Sequence, residues 1–360
     1  MRIAIAPSYT TALAAFTRIA FRAPASFEGM RFDGNCCKFG RQSMSPRSGA
    51  VLYATSSSST SASFFEPPAP PESNGLSIYS DILIPSPTSN AIERNNDEHA
   101  VMIVTGASRG IGREMVKRLL ERTKGKVVAC CRNSDDFEVS ADEEVFKHRL
   151  YVMQLDLEKQ DQIDALAEEI KSKFNRVDGL FNVAGLLGDG GKTTSGPERS
   201  LAAIERSWFE KTMAINVIGP VLLTQALSSM MRSKQRGRQR KTDDDGGLSH
   251  TVPHERPQTI VTNISARVGS ISDNRLGGWY SYRISKAALN QATRTMAHEL
   301  KRQGTLAVAL HPGTTDTDLS QPFSKNVKKG SLFPVYFTVD QILDIVDALE
   351  DKHSGGLFDW

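Results

Sequence analysis

The sequence predicts an α/β fold in which one doubly wound parallel sheet carries helices on both faces. Two observations predict it. From His99 onward, short apolar runs alternate with stretches whose apolar residues recur at helical spacing. Repeated strand–helix alternation with right-handed crossovers builds such a sheet. The first apolar run then ends in Thr105-Gly106-Ala107-Ser108-Arg109-Gly110-Ile111-Gly112. A glycine turn between a strand and a helix is a means of bringing backbone N–H groups close to a phosphate.

The elements follow in order. Residues 101–105 are the first strand, because they are apolar and run into the glycines; 111–120 have helical spacing. Residues 126–131 and 150–155 give the second and third strands. Residues 162–174 read as a helix with Ile163, Leu166, Ala167 and Ile170 on one face. A fourth strand covers 179–183, a long helical stretch 208–231, and a fifth strand 259–265. A helix at 280–302, a sixth strand at 306–311, a helix at 340–349 and a short strand at 356–359 complete the domain. No linker interrupts residues 98–360, so they form one domain.

Two segments interrupt this regularity. Residues 188–197 are rich in glycine and threonine and read as a loop. Residues 232–258 place Arg232, Lys234, Arg236, Arg238, Arg240 and Lys241 ahead of Asp243-Asp244-Asp245-Gly246-Gly247. No aromatic residues interleave with the basic run and acids follow at once, so it reads as a disordered surface insertion rather than a nucleic-acid patch.

Composition sets outer limits. Apolar content of 39% and charged content of 24% are those of a globular chain. A net charge of +3 implies neither a nucleic-acid nor a membrane partner. No apolar run approaches the roughly 20 residues that span a bilayer. The cysteines form two adjacent pairs, Cys36-Cys37 and Cys130-Cys131, which is neither zinc nor disulfide spacing, so no metal is expected. Residues 1–50 carry Arg2, Arg18, Arg22, Arg31, Lys38, Arg41 and Arg47 against Glu28 and Asp33. A serine run at 56–61 and prolines at 67–71 follow. That composition predicts an organelle-targeting leader and disordered linker over residues 1–97, for a plastid, with mitochondrion and cytoplasm as the alternatives.

The glycine turn suits a dinucleotide, with Gly106, Gly110 and Gly112 removing side chains where phosphate approaches and the helix from Ile111 offering its positive end. Nicotinamide cofactors differ by a 2′-phosphate, which an acid at the end of the second strand repels. The chain has Cys130-Cys131-Arg132-Asn133 there. Arg132 and Arg109 together favour NADP(H) over NAD(H). Asp156 and Leu157, ending the third strand, are placed at the adenine. Asn182, Ala184 and Gly185 close the fourth strand against the cofactor.

Taken with Asn182-Val183-Ala184-Gly185, Asn216 in Ile215-Asn216-Val217, Tyr282 with Lys286, and His311-Pro312-Gly313 with Thr317, the turn resembles the short-chain dehydrogenase/reductase family. The likeness runs from about residue 101 to the C-terminus. Arg267-Val268-Gly269-Ser270-Ile271 and Arg283 resemble its C-factor/sniffer-like carbonyl reductase branch. The resemblance implies a Rossmann-type sheet, a homo-oligomer, a small carbonyl substrate, and a cofactor held also by Ser108, Tyr282, Lys286, Pro312, Gly313 and Thr317. It further implies that Asn216 holds a water linking Lys286 to solvent.

A departure bears on the chemistry. The branch usually has a Ser-Ser pair after the fifth strand, and the second serine polarises the carbonyl; here the pair is Ser265-Ala266. Ser265 is the nearest candidate, but strand alternation turns it away unless the strand bulges. Ser270 serves only if the next loop folds back.

Tyr282 and Lys286, four apart on a helix, share a face. The ammonium is expected to favour phenolate and lower the Tyr282 pKa, so that Tyr282 gives or takes a proton. Apolar residues in 314–336, among them Leu319, Phe323, Leu332, Phe333 and Tyr336, suit an apolar or aromatic carbonyl. The expected function is NADPH-dependent carbonyl reduction. The alternative is a nucleotide-binding regulatory module with weak turnover, because of Ala266.

Overall fold

Strand β1 (Val101–Thr105) sits in the interior of the sheet, with β2 (Lys126–Cys131) on one side and β4 (Gly179–Asn182) on the other, both parallel to it. This computed structural model describes residues 86–140, 143–188, 197–233, 256–327 and 330–359. All of them fall within one unit, Glu66–Trp360. Strands β3 (Leu150–Gln154), β5 (Thr259–Ile264), β6 (Thr305–His311) and β7 (Leu357–Asp359) complete a seven-stranded sheet of order β3-β2-β1-β4-β5-β6-β7, with every pairing parallel. The strand order reverses between β1 and β4. In such sheets a crevice for ligands opens there, beyond the carboxyl ends of the strands.

The two faces of β1 feed two cores. Met102 and Val104 lie with helices α2 (Gly110–Arg122) and α7 (Val335–Asp347); Val101 and Ile103 lie with α3 (Gln160–Lys173), α5 (Gly219–Leu227) and α6 (Tyr280–Leu300). Val339, Ile342, Leu343 and Val346 form the buried stripe of α7. Burying each contributes up to about 1.5–3 kcal/mol. Cys130 and Cys131 are both buried and split between the two cores, as alternation along a strand requires. Burial pushes the Cys130 thiol well above its ordinary pKa.

The long helical stretch at 208–231 resolves into pieces. Helix α4 (Arg206–Met213) runs into a π-helical turn (Ala214–Ile218), then α5, then a short 3-10 turn (Ser228–Met231). Within Arg206–Met231 an 18-residue window reaches a mean hydropathy of 1.4, apolar enough by length and composition to cross a membrane. Asn216, Thr224 and Gln225 interrupt it, so a count of consecutive apolar residues does not find it. Here Trp208, Leu223, Leu227 and Met231 are buried in the fold.

The folded unit also begins earlier than residue 98. Helix α1 (Ser89–Asn96) is capped by Thr88, whose Oγ1 accepts from the Ala91 N–H at 3.2 Å. Arg94, only 4% exposed, donates to Asp347 Oδ1 at 3.1 Å, and Thr88 N–H donates to the Asp347 carbonyl at 2.8 Å. The helix is thereby strapped to the end of α7. The expected leader and Cys36-Cys37 lie outside the described residues, as does the body of the 232–258 insertion.

Candidate active site

A cleft of about 520 Å³ opens at the carboxyl end of the sheet. Thr105, Gly106, Ser108, Arg109, Gly110, Ile111 and Gly112 line it, with Arg132, Asp156, Leu157, Ala184 and Gly185. Ser265, Tyr282, Lys286, Pro312 and Thr317 line it too. Of the residues expected there, Asn182, Asn216, Ala266 and Gly313 are not among the described residues that border it. Cys131, Ile264, Asp316 and Asp318 border it without having been anticipated.

The glycines divide their work differently from expectation. A Cβ on Gly106, whose φ is +67°, would lie 2.8 Å from the Ala184 Cα, and one on Gly112 would lie 2.2 Å from the Gly106 carbonyl oxygen. Both are required by protein packing against protein. Only Gly110 meets nothing closer than the Thr317 methyl, at 3.4 Å. Thr105 reinforces the turn: its Oγ1 accepts from the Val183 and Ala184 N–H groups at 3.1 and 3.2 Å. Helix α2 begins without a side-chain cap, so its first N–H groups keep capacity for an anion in the cleft. Loop and helix end fit a dinucleotide pyrophosphate.

Arg109 and Arg132 both reach the cleft, and no acid ends β2. Arg109 is not idle: its Nη1 lies 3.1 Å from Asp318 Oδ2, joining the glycine turn to the segment after β6. Asp156 Oδ1 accepts from the Glu158 N–H at 3.1 Å.

Four residues prove to be struts. Asn182 donates to Asn263 Oδ1 at 2.8 Å inside the sheet, and Asn263 in turn to Thr293 Oγ1 of α6. Asn216 is fully buried; it accepts from the Leu186 N–H, and donates to the Leu186 carbonyl and Ser285 Oγ, at 2.7, 2.8 and 3.0 Å. Its amide ties the loop after β4 to α6. Ser265 N–H continues the ladder onto the Leu310 carbonyl, so the strand does not bulge, and its hydroxyl donates to Asn290 Oδ1 at 2.6 Å. That proton is committed to α6. Ser270 Oγ accepts from the Asp273 N–H within its own loop, which does not fold back. Ala266 remains extended at φ −154°, ψ 146°.

Lys286 is 3% exposed and donates to the Ile264 carbonyl at 2.9 Å; its Nζ is 5.6 Å from the Tyr282 ring centroid. A Cβ on Gly185 would lie 3.6 Å from Asn216 Oδ1 and 3.7 Å from Lys286 Nζ, so the glycine keeps this corner open. The expected pKa effect is corrected in sign. Burial pushes the Tyr282 phenol up, and burial lowers Lys286 to about 8. The ammonium is itself desolvated and aimed at a carbonyl, so it does not offset the desolvation of the phenol.

A lysine whose folded pKa lies below its unfolded value detracts from stability under acid and neutral conditions. The deficit disappears as pH rises through about 8 toward the ordinary 10.5. It amounts to about 3 kcal/mol at most. Lys286→Met, which keeps the volume, loses the Ile264 bond, worth about 1 kcal/mol. The variant should therefore be about 2 kcal/mol more stable than the parent near neutrality. Denaturant midpoints should show the gap narrowing by about pH 10; a variant less stable at neutrality would contradict this.

The family model for short chain dehydrogenases matches residues 100–238 and 249–328. The C-signal of Myxococcus xanthus is 32% identical over 184 residues, covering 51% of this chain and 89% of that protein. Carbonyl reductase Sniffer of D. melanogaster has a TM-score of 0.59 at 25% identity, over 73% of this chain and 97% of that one. The NADPH-bound carbonyl reductase from chicken fatty liver has a TM-score of 0.57 at 28% identity, over 73% and 96%.

Proposed function

Because the chain belongs to the short-chain dehydrogenase family and is therefore an NAD(P)-dependent oxidoreductase, we propose that it reduces a small carbonyl compound, prefers NADPH, and uses Tyr282 as proton donor. One observation carries the reading: Tyr282 and Lys286 line the same cleft as the uncapped glycine turn. The Sniffer and chicken liver relatives, both carbonyl reductases, support the reaction class.

When bound, the nicotinamide dinucleotide supplies the hydride. The α2 N-terminus, Gly110 and Ser108 would hold its phosphates, Asp156 its adenine, and Lys286 its nicotinamide ribose. Arg109 and Arg132 would take the 2′-phosphate, with Arg109 shared with Asp318. The chain's own chemistry is proton transfer. A phenol held protonated by burial gives its proton to the developing alkoxide. Its phenolate is scarcely populated near neutrality, which favours reduction over alcohol oxidation. Lys286, titrating near 8, lies 5.6 Å from that ring's centroid and carries a mobile proton near neutrality.

Ala266 leaves Tyr282 as the principal donor to the substrate oxygen, since the Ser265 hydroxyl is engaged by Asn290. A missing oxyanion donor typically lowers rate about 10²–10³-fold. The test follows NADPH oxidation by the full chain with quinones, aldehydes and diketones. Ala266→Ser should raise kcat about tenfold or more, up to that range. Tight NADPH binding with no turnover in either protein would instead favour a nucleotide-binding regulatory module.

A further inference from the structure

We propose that Trp279 forms the wall of a substrate subsite that selects carbonyl compounds bearing a planar aryl group. The inference rests on the reductase reading and names the substrate class for it. Gly277, Gly278 and Trp279 are successive left-handed residues, with φ of +63°, +64° and +54°. For tryptophan that conformation is strained, and it persists only where the surroundings impose it.

Two segments impose it here. Trp279 N–H donates to the Glu198 carbonyl, and the buried Glu198 side chain accepts from the Ser281 N–H at 3.2 Å. From the other side, Arg283 Nε donates to the Gly278 carbonyl at 3.0 Å and its Nη1 to the Val268 carbonyl at 3.3 Å. The outcome is an indole set edge-on to Tyr282, with centroids 6.3 Å apart and planes at 73°. The strain is thus spent on aiming one aromatic ring at the proton donor.

Beside Trp279 lies a hollow of about 480 Å³, bordered also by Leu276, Val327, Thr314 and the two glycines, with Arg199 at its edge. Thr314 follows Pro312-Gly313, so the hollow is continuous in sequence with the cofactor cleft on one wall and touches Tyr282 through Trp279 on another. A Cβ on Gly277 would meet no atom within 4 Å, so that wall is bare and flat. Leu276 is 92% exposed, an apolar side chain with nothing over it. An indole, a bare glycine wall and uncovered aliphatic carbon fit a planar ring, and aromatic pairing adds attraction beyond area burial.

The test compares benzil with 2,3-butanedione, α-diketones that differ in aryl against methyl substituents, on the full chain with NADPH. Trp279→Asn keeps a left-handed backbone without the ring; Trp279→Phe restores a ring. Gly277→Asn places a side chain in the hollow from the opposite wall. The expected result is a KM for benzil raised about tenfold in Trp279→Asn and Gly277→Asn and restored in Trp279→Phe, an order set by the loss of one aromatic contact. KM for butanedione and the Kd for NADPH should stay within about twofold of the parent, which also reports that the variants fold. Equal changes for both diketones, or none for benzil, overturn the subsite. Benzil quenching of tryptophan fluorescence, read with NADP⁺ present, gives an answer without turnover. Quenching that is lost in Trp279→Asn supports the subsite even if the parent proves inactive, an outcome that would defeat only the reductase reading. Absence of quenching in the parent overturns the subsite.

Discussion

Tyr282→Phe should lower NADPH-dependent carbonyl turnover about 10²–10⁴-fold, the range of general acid catalysis. The substitution removes one oxygen and keeps the ring, so the edge contact with Trp279 at 6.3 Å and the approach of Lys286 at 5.6 Å survive. NADPH affinity should therefore remain within about twofold, and the loss should fall on kcat. The pH profile sharpens the expectation. Burial keeps the phenol protonated well past neutrality, so Tyr282 does not set the alkaline limb. Lys286 titrates near 8, and the rate should fall as pH rises through that value and the ammonium is lost. An unchanged rate in the phenylalanine variant would remove Tyr282 from the chemistry.

Asp178→Ala should destabilise the protein by about 3–5 kcal/mol, the usual consequence of deleting one partner from a buried ion pair. Asp178 is fully buried at the entrance to β4. Its Oδ2 accepts from the Val101 N–H at 2.9 Å and from Arg176 Nε at 2.7 Å; its Oδ1 accepts from Arg176 Nη2 at 2.9 Å. Arg256 Nη1 stands 3.7 Å away. Alanine leaves an N–H at the start of β1 without an acceptor and two guanidinium groups short of negative charge. Whole domains are stable by only about 5–15 kcal/mol, so the variant should unfold at markedly lower denaturant concentration. Asp178→Asn keeps an acceptor and should recover part of the loss. A midpoint unchanged in the alanine variant would show that water replaces the carboxylate.

The strands were legible in the sequence because buried parallel strands are continuous apolar runs bounded by turn residues, and 101–105 and 126–131 read so without help from contacts. The site's residue types were legible at fixed spacing, as with Tyr282 and Lys286. What each group touches was not, because the partner lies far along the chain. Gly112 meets the Gly106 carbonyl and Gly106 meets Ala184, so two glycines that look made for phosphate serve packing. Ser265 and Asn290 find each other only once α6 lies on the sheet. Helix α1 escaped notice because eight mostly polar residues carry no apolar stripe, and what anchors it is a buried arginine, a residue type that sequence reading assigns to solvent. The Tyr282 shift had the wrong sign in prospect because a neighbouring ammonium can be read from spacing, whereas desolvation needs the surrounding walls.

Arg256 gives one more consequence. Its guanidinium donates to the Arg232 carbonyl at 2.7 Å and to the Met230 carbonyl at 2.5 Å, while Ser233 Oγ donates to the Gly304 carbonyl at 2.9 Å. The chain leaves and re-enters the sheet through one clasped gateway. Closing a loop whose ends are already pinned together grows dearer only logarithmically, about 0.6 kcal/mol for each doubling of its length. The cost of connecting Ser233 to Arg256 therefore depends only weakly on how many residues lie between them, and the sheet and its rim feel little of it.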